Sequence, residues 1–307
     1  MAHSRLIGSV AEVRILSQPD EAGLLREITQ ADALLVRMPI TAQAVRAGKR
    51  LRVVARHGVG LDYIPVDVCT ELGIPVTFTP DANTESVAEH VIGSMLSLAH
   101  RMAPADRAIR RGNWSWRDTN IGLDLFGRTL GIIGFGRIGS RVAEVASQAF
   151  RMQVLVHDPY LPANFSAAHG VTRASLDELL IKSDFVTLHA PLTPETRHLL
   201  NSARIGSMKR GSFLINAARG GLVDTEALAK ALSTRHLAGA ALDVLEDEPP
   251  KSDNPLLGLE NVLITPHSAA LTEEAMSRMG MTAAEDIVRV LRGETAINVA
   301  NRPVKSA

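Results

Sequence analysis

The run Thr129-Leu130-Gly131-Ile132-Ile133-Gly134-Phe135-Gly136-Arg137-Ile138-Gly139 constrains this chain more than any other stretch. An apolar segment leads without a polar break into three glycines spaced G-x-G-x-x-G, and helix-forming residues follow. This reads as a buried strand, a tight turn and the start of a helix. Gly134 serves the turn, Gly136 lets the backbone approach a pyrophosphate, and Gly139 lets the helix pack close to the strand. Arg137 and Ile138 open that helix, whose unpaired N–H groups and positive dipole end suit phosphate. Glycines also mark ordinary turns, so the context decides. A second strand, Gln153-Val154-Leu155-Val156-His157, ends at Asp158, roughly 20 residues past the glycines, where an acid accepts hydrogen bonds from ribose hydroxyls. The same charge repels a 2′-phosphate. Dinucleotide binding is expected, with NAD favoured over NADP.

The 307 residues suffice for about two domains. Lys plus Arg equals Asp plus Glu at 33 each, so no long-range field favours nucleic acid or an anionic membrane. The single cysteine, Cys69, rules out an internal disulfide framework and a cysteine metal cluster, and no metal is expected. It reads as a small core residue rather than a nucleophile. No apolar run reaches the roughly 18 residues of a membrane span. The start, Met1-Ala2-His3-Ser4-Arg5, is not followed by a signal-type apolar core, so a reducing, cytoplasmic setting is expected.

Two α/β units follow each other. In the first, Val13–Leu16, Ala33–Val36, Arg52–Arg56 and Pro75–Phe78 read as strands, and the segments Glu21–Gln30 and Pro65–Leu72 between them show helical spacing. A long helix is expected from Glu85 to Arg110, with a kink or break near Pro104. In the second unit, strands end at His157, His189, Asn216, Val244 and Thr265. Phe185–His189 and Ser212–Asn216 are nearly continuous apolar runs, as befits strands buried on both faces. The last helix, Thr272–Arg292, is expected to return to the first unit. The chain then crosses twice between two parallel-sheet domains, and a cleft between such domains is a favoured ligand site.

Polar residues gather after the later strand ends, where open α/β sheets bind ligands. Asn216-Ala217-Ala218-Arg219-Gly220-Gly221 follows one strand, and Asp243-Val244-Leu245-Glu246-Asp247-Glu248-Pro249 accompanies the end of the next. Thr265-Pro266-His267-Ser268-Ala269-Ala270 closes the last. Singly, each has a bland reading: a satisfied histidine, a solvated acidic loop, a surface arginine beside a glycine turn. Together, beside a dinucleotide fingerprint, they read as a site.

These segments resemble the D-isomer-specific 2-hydroxyacid dehydrogenase family. So do Arg56-His57-Gly58-Val59-Gly60-Leu61-Asp62 and Asn83-Thr84-Glu85-Ser86-Val87-Ala88-Glu89-His90, which are most similar to its phosphoglycerate dehydrogenase branch. The resemblance covers nearly the whole chain in the right order. It implies an α/β fold of two doubly wound parallel-sheet domains with a cleft between them. Residues 1–98 and 276–307 would form a flavodoxin-like substrate domain, and residues 99–275 a Rossmann NAD domain. It implies His267 as the acid/base, since imidazole both accepts and returns a proton near neutral pH. Glu248 would be its partner, because the family's glutamate directly precedes a proline, as Glu248 precedes Pro249. Arg219 would present its fork of donors to carboxylate and carbonyl oxygens.

Further assignments follow from the resemblance. Val59 and Gly60 would hold the substrate carboxylate through backbone N–H groups, and Arg37 would face the substrate. His189, Ala190 and Pro191 would line the adenosine side. Thr196 would contact phosphate or cap a helix. Ala217 and Arg219 would flank the nicotinamide, Asp243 would accept from its carboxamide, and His267, Ser268 and Ala269 would lie against the same ring. Two departures stand out: Arg37-Met38-Pro39 lacks the serine of the family's arginine-serine pair, and His57 replaces a small residue. Arg37, Arg56 and His57 would serve an anionic substrate tail or be surface charges. Trp114 and Trp116 suit a two-fold interface, hence a homodimer, or a local core.

The function so implied is NAD-dependent interconversion of a small D-2-hydroxy acid and its 2-oxo acid, 3-phosphoglycerate and phosphohydroxypyruvate among them. Alternatives are a hydroxypyruvate or glyoxylate reductase, a sulfolactate-type dehydrogenase, and phosphite oxidation. From another class comes an NAD-sensing binding protein resembling the C-terminal-binding-protein corepressors, although no extended polar tail follows the last helix. Formate oxidation is disfavoured, because relatives that perform it carry glutamine at the Glu248 position. The partner expected is a small anionic acid, with no nucleic acid and no membrane.

Overall fold

The computed structural model of the protein describes residues 2–18, 20–162, 165 and 170–301, so residues 302–307 of the expected substrate domain lie outside the described residues. The chain divides into two compact units, Met1–Asn83 with Leu271–Ala307, and Thr84–Ala270.

The larger unit carries a seven-stranded parallel sheet. Its strands are β4 (Thr129–Ile133), β5 (Gln153–His157), β6 (Val171–Arg173), β7 (Phe185–Leu188), β8 (Phe213–Asn216), β9 (Gly239–Leu242) and β10 (Val262–Ile264). Their order is β10-β9-β8-β7-β4-β5-β6, so the winding reverses between β4 and β7. Such a reversal opens a crevice at the carboxyl edge. Alternation along β4 sorts the core. Leu130 and Ile132 face one side with Val154, Val156 and Phe185, under the helices Thr84–Ala99 and Arg137–Phe150. Ile133 faces the other with Val186, Leu188, Leu214 and Leu242, under Leu176–Lys182 and Thr225–Ser233. Strands β7, β8 and β9 are buried along their whole length, as their continuous apolar runs require. Each fully buried Leu, Ile or Phe side chain contributes about 1.5–3 kcal/mol.

The smaller unit carries three parallel strands in sequence order, β1 (Ala33–Val36), β2 (Val53–Arg56) and β3 (Val76–Thr77). The helix Glu273–Leu291 returns to it and packs Ala283 and Ile287 on Val53 and Ala55 of β2. Residues 298–300 then run antiparallel along β3: Phe78 N–H donates to Asn298 O at 3.1 Å and Ala300 N–H to Val76 O at 2.8 Å. Buried Asn301 accepts from Val76 N–H at 2.7 Å and donates to Ile74 O at 3.0 Å. Cys69 is buried in this core, and burial pushes its thiol up to about 11, which suits a packing residue.

One strand and the unit boundaries need correction, and one expected helix break is found. Val13–Leu16 is not a strand. Among the described residues no neighbour offers its backbone a ladder; Leu16 leans on the core while Val13 and Ile15 face solvent. The break expected near Pro104 divides the 85–110 stretch into two helices, Thr84–Ala99 and Met102–Arg110. The break falls at Arg101, in left-handed backbone at φ 55°, ahead of Pro104. A proline ring clashes with the carbonyl four residues back, here His100, so the first helix ends there and Pro104 sits in the first turn of the second. The unit boundary falls at Asn83/Thr84, not at residue 98, and at Ala270/Leu271, not at 275. The reason is that Ala88, Val91, Ile92, Met95 and Ala99 of the first helix pack into the larger unit's core.

Candidate active site

In the larger unit the expected residues all lie at or beyond the carboxyl ends of strands. Gly134 ends β4 with φ +92°, and its N–H donates to His157 O at 2.9 Å. A Cβ there would come within 2.7 Å of the His189 and Ala190 backbone, and one on Gly139 within 2.2 Å of Gly134 O. Both positions therefore require glycine. A Cβ on Gly136 would meet no described atom within 4 Å. Gly136 is also the N-cap of the helix that Arg137 and Ile138 open. The loop thus has the open side and the helix N-terminus that a pyrophosphate needs.

Asp158 follows β5. Its Oδ2 accepts from Phe135 N–H and its Oδ1 from Tyr160 N–H, both at 2.8 Å. The carboxylate is therefore tied to the glycine loop, and each oxygen retains acceptor capacity for a hydroxyl. After β7, burial pushes the His189 imidazole down to about 4, so it is neutral at pH 7; its Nε2 lies 3.1 Å from Thr187 Oγ1. Ala190 and Pro191 continue this loop. Thr196 caps no helix, contrary to one of its two expected roles. Its hydroxyl donates to Pro191 O and accepts from Thr193 N–H, both at 2.7 Å, and so closes a turn.

His267 and Glu248 meet. Nδ1 of His267 is 2.7 Å from Glu248 Oε2, and the other carboxylate oxygen accepts from Leu245 N–H at 3.1 Å. Burial alone would raise the Glu248 carboxyl. The His267 hydrogen bond and charge, the Leu245 N–H and the Arg219 guanidinium outweigh it and hold the group below its usual range. Arg219 precedes a turn of 3₁₀ helix, Gly220–Leu222, and its Nη1 donates to Ala218 O at 2.7 Å. Ala217, at the start of this loop, is half-buried. His267 adopts left-handed backbone at φ 51°, which costs a non-glycine residue about 1–2 kcal/mol.

Asp243 explains how that conformation is held. Its side chain is 1% exposed. Oδ1 accepts from Thr265 Oγ1 at 2.6 Å and Ser268 N–H at 2.8 Å, and Oδ2 from Ala269 N–H at 2.9 Å. Its own carbonyl takes the His267 N–H at 2.7 Å. The expected carboxamide acceptor also shapes the turn that bears His267. Ser268 and Ala269, expected against the ring, contribute their N–H groups to that same anchor. Two participants lie in motifs quoted above but were given no role there. Gly220 allows the backbone of Leu245 and Glu246 to approach so closely that a Cβ would lie 2.0 Å from Leu245 C and O. His90 Nε2 stands 3.3 Å from Thr265 Oγ1 behind the turn.

In the smaller unit, Arg37 is exposed just past β1, and Val59 and Gly60 are half-buried past β2. Gly58, at φ +144°, makes the intervening turn possible. Arg56 donates to Val36 O and Gly60 O, both at 3.0 Å, and stacks 4.3 Å from the Tyr63 ring centroid. It braces the loop and is not a bare surface charge. His57 is buried. Among the described residues, no three His, Cys, Asp or Glu side chains gather as a metal site, and no helix is long and apolar enough to cross a membrane.

Residues 92–269 match the family described as D-isomer specific 2-hydroxyacid dehydrogenase, NAD binding domain. The chain is 44% identical over 302 residues to D-3-phosphoglycerate dehydrogenase of Methanocaldococcus jannaschii, covering 97% of this chain and 57% of that protein. It is 42% identical over 291 residues to glyoxylate reductase of Korarchaeum cryptofilum, covering 93% and 87%. The chain thus spans little more than half the length of the phosphoglycerate dehydrogenase it matches. Among solved structures, D-lactate dehydrogenase from Aquifex aeolicus, complexed with NAD and lactic acid, superposes with TM-score 0.87 at 32% identity. That match covers 99% of this chain and 96% of the other.

Proposed function

Because the chain belongs to the D-isomer specific 2-hydroxyacid dehydrogenase family, we propose that it interconverts a small D-2-hydroxy acid and its 2-oxo acid with NAD as cofactor. The observation that carries this reading is the 2.7 Å pairing of His267 Nδ1 with Glu248, with Arg219 close enough to lower the Glu248 carboxyl. Oxidation of a hydroxy acid needs a base at the hydroxyl. With Nδ1 held by Glu248, Nε2 of His267 is the nitrogen for that proton, and the carboxylate balances the imidazolium formed. Arg219 binds carboxylate and carbonyl oxygens, which polarises the carbonyl in the reverse direction. NAD supplies the hydride acceptor. Its pyrophosphate falls to Gly134, Gly136 and Gly139 with Arg137 and Ile138, and its ribose to Asp158. His189, Ala190, Pro191 and Thr196 take the adenosine and phosphate side, and Ala217, Ser268 and Ala269 the nicotinamide side. Arg37 and the backbone of Val59 and Gly60 take the substrate anion.

The test is consumption of NADH, with NADPH in parallel, against phosphohydroxypyruvate, hydroxypyruvate, glyoxylate, pyruvate and sulfopyruvate. Rapid turnover of one member names the substrate. Tight NADH binding without turnover on any would sink the dehydrogenase reading in favour of nucleotide sensing. Asp158→Ser should raise the NADH KM about 10- to 100-fold, because hydrogen bonds to a charged group contribute about 1.5–3 kcal/mol. NADPH use should not fall in step. An unchanged ratio of the two cofactors would remove Asp158 from the ribose site.

The protein is also proposed to be a cytoplasmic homodimer. Met102, Ile109, Trp114, Ile121 and Phe126 are exposed over one short stretch. A second copy would cover them. Light scattering at micromolar concentration should give twice the chain mass, and Trp114→Asp should shift it towards monomer; a wild-type monomer refutes the dimer.

A further inference from the structure

The acidic loop that carries Glu248 holds a second carboxylate whose surroundings differ from those of a solvated charge. Glu246 is 24% exposed, whereas its neighbour Asp247 is 61% exposed and pairs with Lys251 at 3.3 Å. Oε1 of Glu246 accepts from Arg197 Nη2 at 2.8 Å and lies 2.7 Å from His198 Nε2. Oε2 accepts from Thr225 Oγ1 at 3.1 Å. These partners come from two places. Arg197 and His198 end the turn that Pro191 begins and Thr196 closes, and Thr225 is the first residue of the helix Thr225–Ser233.

The same turn is fastened a second time. His198 sits in left-handed backbone at φ 47°, and its N–H donates to Gly221 O at 2.8 Å, two residues past Arg219. Glu246 is two residues before Glu248, and the Leu245–Glu246 peptide that leads into it approaches Gly220 closely. The Glu246 carboxylate therefore ties the loop of the proposed catalytic acid to the turn after β7 and to the helix Thr225–Ser233, and the His198 N–H ties that turn to the Arg219 loop. A lone surface ion pair would contribute little, but a half-buried carboxylate shared by three donors from two separate segments fixes geometry.

We infer that Glu246 is a positioning residue: it clamps the Leu245–Glu248 loop to the turn after β7 and so holds the Glu248 carboxylate against His267 Nδ1. The catalytic half of this inference rests on the function proposed above; the clamp itself rests on the hydrogen bonds alone. Glu246 touches none of the reacting groups, so its removal acts through Glu248.

The experiment compares Glu246→Ala, Glu246→Gln and Thr225→Val in the full chain, using NADH with hydroxypyruvate. A loosened catalytic pair of this kind loses about 10- to 100-fold in rate. Glu246→Ala should lose that much in kcat while NADH affinity holds. Glu246→Gln should lose less, because its amide oxygen still accepts from Arg197 and His198, and Thr225→Val should lose least. A second readout needs no substrate. The Glu248 carboxyl, titrated by carbon NMR and assigned with Glu248→Gln, should move up towards the ordinary carboxylate range in Glu246→Ala and Thr225→Val. A drop in thermal stability with kcat and the Glu248 titration unchanged would overturn the inference and leave Glu246 as a fold-stabilising contact. If Glu246→Ala does not fold, Thr225→Val decides by the same titration. His267→Ala run alongside separates the two claims: full activity there refutes the proposed function, while the titration still reads the clamp.

Discussion

His267→Ala should lower kcat by about 10²- to 10⁴-fold, the usual contribution of a positioned acid/base, while NADH affinity stays within about twofold. The imidazole is the base in the proposed oxidation and returns the proton in the reverse direction. The glycine loop and Asp158 are built from other strand ends and do not depend on it. The turn itself should persist, because Asp243 grips it through the N–H groups of Ser268 and Ala269, which the substitution leaves in place. Steady-state kinetics with the substrate found in the acid panel, and NADH fluorescence titration, read the two parts separately. Near-normal turnover would remove His267 from the chemistry. Equal loss of turnover and NADH binding would make it a cofactor contact instead.

Gly220→Ala should be nearly as damaging, although the change is one methyl group. The added carbon would sit 2.0 Å from the carbonyl carbon and oxygen of Leu245 and 2.4 Å from Glu246 N. These are backbone atoms and cannot swing aside like the end of a flexible side chain. The loop of Arg219 and the loop of Glu248 must therefore part, and displacement near 1 Å at a catalytic group costs about 10²-fold in rate. Overpacking of this kind also lowers stability by about 1–3 kcal/mol. The expected signature is a fall in kcat/KM of about 10²-fold or more, a lower thermal midpoint and retained NADH binding. A variant with wild-type kinetics would show that the two loops need not touch.

Much of the larger unit was legible from local chemistry. The glycine spacing, the apolar strand before it and Asp158 after the next strand predict the turn that is observed. Continuous apolar runs predict β7 and β8, buried on both faces. The His267–Glu248 pair was legible through resemblance, from an acid that directly precedes a proline. What sequence could not supply was the use of each lone pair once the chain had folded. Asp243 was assigned to the carboxamide, and nothing in the sequence showed that its oxygens also hold the 265–269 turn. Arg56 looked like a candidate for an anionic tail, yet it braces two carbonyls. Gly220 carried no sign of its close neighbours, because those lie 25 residues further along the chain. Val13–Leu16 alternates like a strand, but alternation cannot guarantee a partner for its backbone.

The smaller unit is sewn from two segments that flank the larger one, residues up to Asn83 and from Leu271 on, and this dictates an order of events during synthesis. The sheet of the larger unit uses one uninterrupted stretch, so its contacts can close while the chain is still emerging. Strand β2 must wait for the helix Glu273–Leu291 to cover it, and β3 waits for residues 298–301. The bond between Val76 N–H and Asn301 spans 225 positions. Contacts that distant in sequence form late, because the intervening chain must first be drawn in. A ribosome would thus release a settled nucleotide-binding half while the other half was still half-dressed, its apolar β2 face open to chaperones or to a neighbouring nascent chain.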